Sequence, residues 1–397
     1  MPVWHAFTRK YRAEGLLEVV GIATEQHPQR TQLFAQWQGF DWPILWDPFN
    51  LTGSKVVPNH IFVDEFGIVR STRPRRETFE DQLLFADFER PAELGGRGEA
   101  GEGAEGEAGL AGVPRASLEH DHLRALGDLL WSRGESLDGA LDVIEQRAAT
   151  QPDDERFAFW AGVARRMRFD SERARADDFQ AAVDHWARAL VGDPTQYIWR
   201  RRLQQYGPRM DKPYNFYSWV AIAQRELTAR GERPVELVAT LTPAELAEQH
   251  DFEVGDAASE PDPEARVPLD GADGRPLISI ETAVVFDTSG KRSIASVHLA
   301  LRPVPEREAH WNHEVDALRV WIDQPEGWSV DRKLLEHPPR ADVATSTELR
   351  TLSFELELPE DVRDAALGGY ALYYVCAGAE GTCEFLRQEF SVRVERR

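Results

Sequence analysis

A glycine- and glutamate-rich segment divides this chain and rules out a single continuous core. Residues 92–113 contain eight glycines, five glutamates and no aromatic residue. Such a segment cannot bury enough apolar surface to offset its chain entropy, so we expect a disordered linker over 91–116. A second boundary, rich in Asp, Pro and Gly, predicts an acidic linker over 251–275. The chain should therefore form three domains, at 1–90, 117–250 and 276–397.

Composition excludes several classes of partner. The 397 residues carry a formal net charge of −22, which argues against nucleic acid or an anionic membrane as a partner. No run of eighteen apolar residues and no basic-then-apolar leader occurs, so we expect no membrane association and a cytoplasmic location. A periplasmic location would follow if a signal segment preceded the sequence. No GxxxxGK[ST], HExxH or GxSxG motif is present, and we expect no cofactor and no metal.

The first 90 residues predict alternating helices and strands. The apolar residues 16–22 predict a parallel strand buried on both faces, and the glycine at 67 predicts a tight turn between two short strands. The expected elements are a helix over 2–10, a strand over 16–22, a helix over 29–38, a strand over 43–46, a hairpin of 61–63 and 68–70, and a closing helix over 78–88.

This series resembles the thioredoxin-like redoxins, including the AhpC/TSA type and the disulfide reductases of the TlpA and ResA type. The resemblance rests on the Met1-Pro2 helix, the strand order and Val57-Pro58 before the hairpin. It implies a thioredoxin fold, a cis Val57–Pro58 bond, and substrate binding by the backbone at Val57 and Pro58. In that family a CxxC motif lies a few residues before the Met-Pro pair. We therefore expect the catalytic cysteines of this domain, and the first strand of its sheet, to lie upstream of Met1.

Residues 117–250 predict helices with the spacing of tetratricopeptide repeats. Gly162, Ala182 and Pro194 occupy the positions where small residues let two helices approach and where proline ends the second helix. The 165–178 stretch is a charged insertion in the second unit. We expect this TPR-like region to bind another protein.

The C-terminal 276–397 region switches to alternating apolar and polar residues, with turn residues between the segments. Five such segments predict an antiparallel β-sandwich, so the fold class is multidomain α/β + α + β. The two cysteines of the chain, Cys376 and Cys383, fall on two strands joined by a glycine-containing loop. Cross-strand pairs of this kind lie within disulfide range. His310 and His313 suggest a metal pair, but no third ligand of suitable spacing follows, and we expect a solvent-facing strand entry.

This hairpin resembles that of the amino-terminal domain of DsbD-type interchange proteins, which has an immunoglobulin-like fold. The resemblance implies that Cys376 and Cys383 are catalytic. A structural disulfide, or two reduced thiols, remains the alternative reading of the same residues.

Together these features predict a thiol–disulfide oxidoreductase, with a redoxin-like domain and a second dithiol relay at Cys376 and Cys383. Its partners would be protein or small-molecule thiols and disulfides. The alternative is a non-catalytic scaffold with a relict thioredoxin fold. A peroxidase of the peroxiredoxin type would need a PxxxTxxC motif, which this sequence does not contain.

Overall fold

The computed structural model describes residues 2–90, 121–131, 136–290, 293–340, 342–378 and 382–396. The predicted 91–116 linker lies outside these residues. The chain divides into two compact units. Unit 1 comprises Met1–Ile144, Gln196–Ile198 and Ala223–Glu236, and unit 2 comprises Glu145–Thr195, Trp199–Ile222 and Leu237–Arg397.

Unit 1 begins with the predicted alternation of helices and strands. Its first elements are α1 (Pro2–Ala13), β1 (Gly21–Ala23), α2 (Pro28–Gln38), β2 (Ile44–Trp46), β3 (Phe62–Val63) and β4 (Val69–Ser71). The β1 and β2 strands pair in parallel, and β3 and β4 pair antiparallel around a turn in which Gly67 has a φ of 80°. The helices, the 43–46 strand and the hairpin are confirmed within a few residues.

Two elements of unit 1 differ from the sequence prediction. The strand expected over 16–22 is reduced to β1, and Ile22 is 51% exposed, so this run is not buried on both faces. The reason is that β1 has a single partner strand among the described residues. The closing helix is a 3₁₀ turn (Arg76–Thr78) followed by one π-helical turn (Glu80–Leu84). Phe79, between the two turns, is buried and contacts the rings of Trp4, Phe7, Tyr11 and Phe62.

Further helices follow as α3 (Asp121–Trp131), α4 (Leu137–Thr150), α5 (Glu155–Phe169), α6 (Asp178–Gly192), α7 (Tyr197–Gln204), α8 (Trp219–Ala229) and α9 (Pro243–Leu246). In unit 2, α5 and α6 approach closely at Gly162. A Cβ atom at this position would contact the Trp186 ring and lie 2.9 Å from the Ala182 carbonyl oxygen. The predicted close approach at small residues is confirmed. The 165–178 stretch is only partly an insertion, because α5 continues to Phe169.

The β-structure of unit 2 consists of two antiparallel sheets. Their strands are β5 (Ile278–Phe286), β6 (Ile294–Pro303), β7 (Ala309–Asn312), β8 (Leu318–Asp323), β9 (Ser329–Val330), β10 (Leu334–His337), β11 (Thr345–Ser346), β12 (Arg350–Glu357), β13 (Asp364–Ala377) and β14 (Cys383–Glu395). One sheet has the order β5-β6-β12-β9. The other has the order β10-β8-β13-β7-β11, with β14 also paired to β13.

Apolar residues from both sheets form one continuous core. Val297 and Phe354 come from the first sheet, and Trp311 and Tyr373 come from the second. Alternation along each strand directs one set of side chains into this core, as the period-two pattern predicted. The structure thus combines helices with antiparallel sheet.

The segment predicted as an acidic linker lies against the second sheet over 258–270. The Arg387 guanidinium stacks 3.6 Å from the Tyr370 ring centroid and donates to the Asp262 carbonyl oxygen at 2.9 Å. Tyr373 Oη donates to the Asp270 carboxylate at 2.8 Å, and burial raises its pKa well above the usual value. Although almost all of it lacks regular secondary structure, this 258–270 segment covers Tyr370 and Leu372 on the outer face of the sheet.

Among the described helices, none combines the length and the apolar character that a membrane span requires.

Candidate functional site

The two cysteines are directly opposite each other at the end of a long hairpin. The β13–β14 register runs from Asp364 opposite Glu395 to Cys376 opposite Cys383. The Cα atoms of the cysteines are 4.0 Å apart, and their sulfur atoms are joined in a disulfide. The cross-strand placement of the two cysteines expected from the sequence is therefore confirmed.

The two cysteines differ in exposure. Cys376 is 1% exposed, whereas Cys383 is exposed at the surface. Cys376 is buried because β13 is a central strand, with β14 on one side and β7 on the other. An external thiol can therefore approach Cys383 more readily than Cys376.

Strand alternation defines which side chains surround the disulfide. Tyr373 and Val375 of β13 belong to the core. Cys376 lies on the opposite, outer face. One step along that face, Tyr374 and Phe385 are directly opposite each other, with ring centroids 4.6 Å apart. Both rings are half-buried.

A third residue is paired with the disulfide across β7. His310 is directly opposite Cys376, and its Nδ1 lies 3.3 Å from the Glu308 carbonyl oxygen. The amide of Gly378 donates to the same carbonyl at 3.2 Å. We call His310, Cys376 and Cys383 the disulfide row.

His313 has a structural role. It is 6% exposed, its Nε2 lies 2.8 Å from Ser346 Oγ, and its Nδ1 accepts from the Arg340 amide at 2.7 Å. Burial, together with the Arg350 guanidinium, lowers its pKa. The sequence expectation of a solvent-facing position is wrong for His313, because β11 and the Arg340 backbone enclose the ring. No three His, Cys, Asp or Glu side chains in the described ranges are arranged to hold a metal ion.

The second predicted site lies in unit 1. The Val57–Pro58 peptide bond is cis, as predicted, and both residues are exposed. Two residues on, the His60 ring stacks on Trp4 of α1, with ring centroids 4.9 Å apart. The structure thus places Val57 and Pro58 in unit 1, and Cys376 and Cys383 in unit 2.

Sequence reasoning missed His310 and the Tyr374–Phe385 pair as neighbours of the disulfide. The aromatic pair was readable from the hairpin, since residues equidistant from a turn face each other in an antiparallel pair. The position of His310 was not, because β7 is far from β13 along the chain.

Comparison with known proteins found no matching family model and no significantly similar curated protein.

Proposed function

We propose that this chain is a thiol–disulfide oxidoreductase whose reactive pair is Cys376 and Cys383. The observation that carries the proposal is the asymmetric disulfide at the hairpin end, with an exposed Cys383 and a buried Cys376. A sulfur that is to be attacked must be accessible, and its partner is then the leaving group.

The exchange has two steps. A thiolate of a dithiol partner attacks Sγ of Cys383, the sulfur–sulfur bond breaks, and its electron pair leaves on Sγ of Cys376, which takes up a proton. The second thiolate of the partner then attacks the partner's sulfur in the mixed disulfide, and Cys383 leaves as a thiolate. The partner dithiol is oxidised by two electrons, and the Cys376–Cys383 disulfide is reduced.

The hairpin can remain folded while the disulfide opens. The β13–β14 ladder continues from the cysteine pair to Asp364 opposite Glu395, and β13 also pairs with β7 and β8. Closing this short loop contributes about 2.5 kcal/mol in the chain-entropy account, which is small compared with the burial of a whole sheet.

The aromatic pair beside the disulfide suits a protein partner. Tyr374 and Phe385 are half-buried, whereas Tyr370 and Leu372 further along the same face are covered. The accessible rings would contact apolar side chains that flank a partner cysteine. In the cytoplasm, the reducing environment would keep Cys376 and Cys383 as free thiols. In the periplasm, the disulfide would persist until a dithiol partner reduces it.

We further propose, from the resemblance of unit 1 to redoxins, that unit 1 binds a substrate at Val57 and Pro58. The exposed chain at Val57 and Pro58 supports a backbone site for an extended substrate. We likewise propose from resemblance that the two sheets form an immunoglobulin-like sandwich and that the helices form a TPR-like region.

Reduction under native conditions tests the exchange. The oxidised full-length chain is incubated with dithiothreitol at neutral pH, quenched with an alkylating agent and weighed by mass spectrometry. In native buffer we expect both cysteines to become alkylated. We expect the disulfide to be reduced there at a rate within about tenfold of its rate in denaturant. Reduction confined to the denatured sample would identify a structural disulfide and overturn the proposal.

A second candidate function is partner binding without catalysis. It is favoured by the half-exposed apolar side chains of unit 1, among them Ile22, Leu45, Val57 and Val63. A chain with both Cys376→Ser and Cys383→Ser separates the two functions. The scaffold function predicts that the variant retains all its partners in a co-purification from its host, whereas the exchange function predicts loss of the thiol-dependent ones.

A further inference from the structure

We propose that His310 is a third functional residue of this exchange, and that its imidazolium stabilises the Cys376 thiolate released when Cys383 is attacked. The inference rests on the exchange proposed above, and it adds a residue that determines the rate and its pH dependence.

The strand register places His310 directly opposite Cys376, the residue that carries the leaving sulfur. Cys376 is opposite Cys383 on β14 and opposite His310 on β7, so the disulfide row crosses three adjacent strands. Residues directly opposite each other in antiparallel strands project to the same face, with Cβ atoms about 4.5–5.5 Å apart. The imidazole therefore lies on the face that carries the disulfide.

A backbone contact orients the imidazole ring. The Glu308 carbonyl oxygen lies 3.3 Å from Nδ1 of His310. A proton on Nδ1 is held by this carbonyl, which leaves Nε2 as the nitrogen directed away from Glu308. The ring is half-buried and remains accessible to water.

A positive charge matters at this place because the leaving group is buried. Burial disfavours a thiolate, and a nearby cation offsets that cost. Of the two residues paired with Cys376, His310 is the one that can carry positive charge.

Two described acidic residues flank the row. A Cβ atom on Gly378 would lie 3.7 Å from the Glu308 carboxylate, which therefore stands near the site and opposes the thiolate. Glu384 is opposite Val375 in the register and projects to the other face of the sheet. A positive charge on His310 would thus offset the effect of the Glu308 carboxylate on the Cys376 thiolate.

The test is the pH profile of reduction by dithiothreitol for the full-length chain and for His310→Gln. We expect His310→Gln to slow the reduction about three- to ten-fold at pH 6, with the difference vanishing at pH 9, where imidazoles are neutral. His310→Lys retains a cation and should reduce at least as fast as the unchanged protein at both pH values. His337→Gln, on β10 of the same sheet, is the matched control and should leave the profile unchanged.

The outcomes separate the two proposals. If the unchanged protein is not reduced in native buffer, the exchange itself is wrong. If it is reduced but His310→Gln follows the same pH profile, or if His310→Lys is as slow as His310→Gln at pH 6, the role of His310 is overturned while the exchange stands. A urea midpoint for each variant shows whether a lower rate reflects a loss of folding.

Discussion

Arg166 is a charged side chain in the interior of unit 2. It is 2% exposed, and its guanidinium lies 4.5 Å from the Phe179 ring centroid and 4.9 Å from those of Phe169 and Tyr206. Its Nε donates to the Asp170 carboxylate at 2.9 Å. Buried charges are tolerated when paired in this way, and stacking on desolvated rings adds to the stabilisation.

Replacing Arg166 should therefore destabilise the protein. We expect Arg166→Met to lower the free energy of unfolding by about 3 kcal/mol, since it removes three ring contacts and leaves Asp170 without this partner. Arg156→Met, at an exposed position of the same helix, should change it by less than about 0.5 kcal/mol. Urea titration of both variants measures the effect. Equal midpoints for the two variants would show that the Arg166 contacts contribute nothing.

His298 makes the stability of unit 2 depend on pH. Its Nε2 lies 2.7 Å from the Tyr206 carbonyl oxygen, and burial lowers its pKa to about 4. The folded protein therefore binds fewer protons than the unfolded chain between pH 6.5 and pH 4. The contribution of His298 is complete above pH 6.5 and is lost as the pH falls through that range.

Replacing His298 should flatten this dependence. Lowering the pH from 7.5 to 5 should cost the unchanged protein about 2 kcal/mol through His298 alone. In His298→Gln, the free energy of unfolding should fall by about 2 kcal/mol less over the same pH range. In His250→Gln, a substitution at an exposed position, it should fall as much as in the unchanged protein. Urea titrations at the two pH values measure the difference. A decrease of the same size in His298→Gln would contradict the assignment.

Sequence reasoning could not identify these two residues. An arginine in a helix rich in arginine is typical of a solvated face, and the rings around Arg166 come from α5, α6 and a turn at Tyr206. His298 is a polar position in an alternating segment, and such positions commonly contact solvent in antiparallel sheets. Both are buried because helix and sheet pack together in unit 2, which no local pattern specifies.

At the scale of elements, the close contact between α5 and α6 depends on Gly162, which has no side chain. We expect Gly162→Ala to destabilise the protein by about 1–3 kcal/mol, because its methyl group would contact the Trp186 ring and the Ala182 backbone. Gly139→Ala in α4 meets no atom within 4 Å and should stabilise by about 0.5–1 kcal/mol through helix propensity. Thermal unfolding of the two variants compares them. Stabilisation by both would show that the helices do not need this close approach.

Elements with strong local signals were predicted well, and those that depend on distant partners were not. The glycine at 67 and the alternation around it specify the β3–β4 hairpin without any other part of the chain. An apolar run such as 16–22 becomes a buried strand only where neighbouring strands cover it. Here β1 pairs with β2 alone among the described strands, and Ile22 stays half-exposed.

At the scale of the whole molecule, helices and sheets of unit 2 form one body. Gln180 of α6 accepts from the Val284 amide at 2.8 Å, Asp211 accepts from Thr288 Oγ1 at 2.7 Å, and Arg302 donates to the Phe169 carbonyl at 3.0 Å. Sequence composition separated the helical and sheet regions at 251–275. Composition could not show that the helices before this segment and the strands after it are joined by hydrogen bonds.

The cysteine pair illustrates the same limit at the proposed site. Its pairing was predictable because both partners lie on one hairpin. The burial of Cys376 and the proximity of His310 were not, since they follow from the long-range pairing of β7 with β13.

The most direct test of the account identifies the sulfur that an external thiol attacks. The oxidised full-length chain is exposed to glutathione in native buffer, quenched with acid, digested, and analysed for the mixed disulfide by tandem mass spectrometry. We expect glutathione on Cys383 and a free thiol on Cys376. An adduct on Cys376 instead, or an adduct that forms only after denaturation, would contradict it.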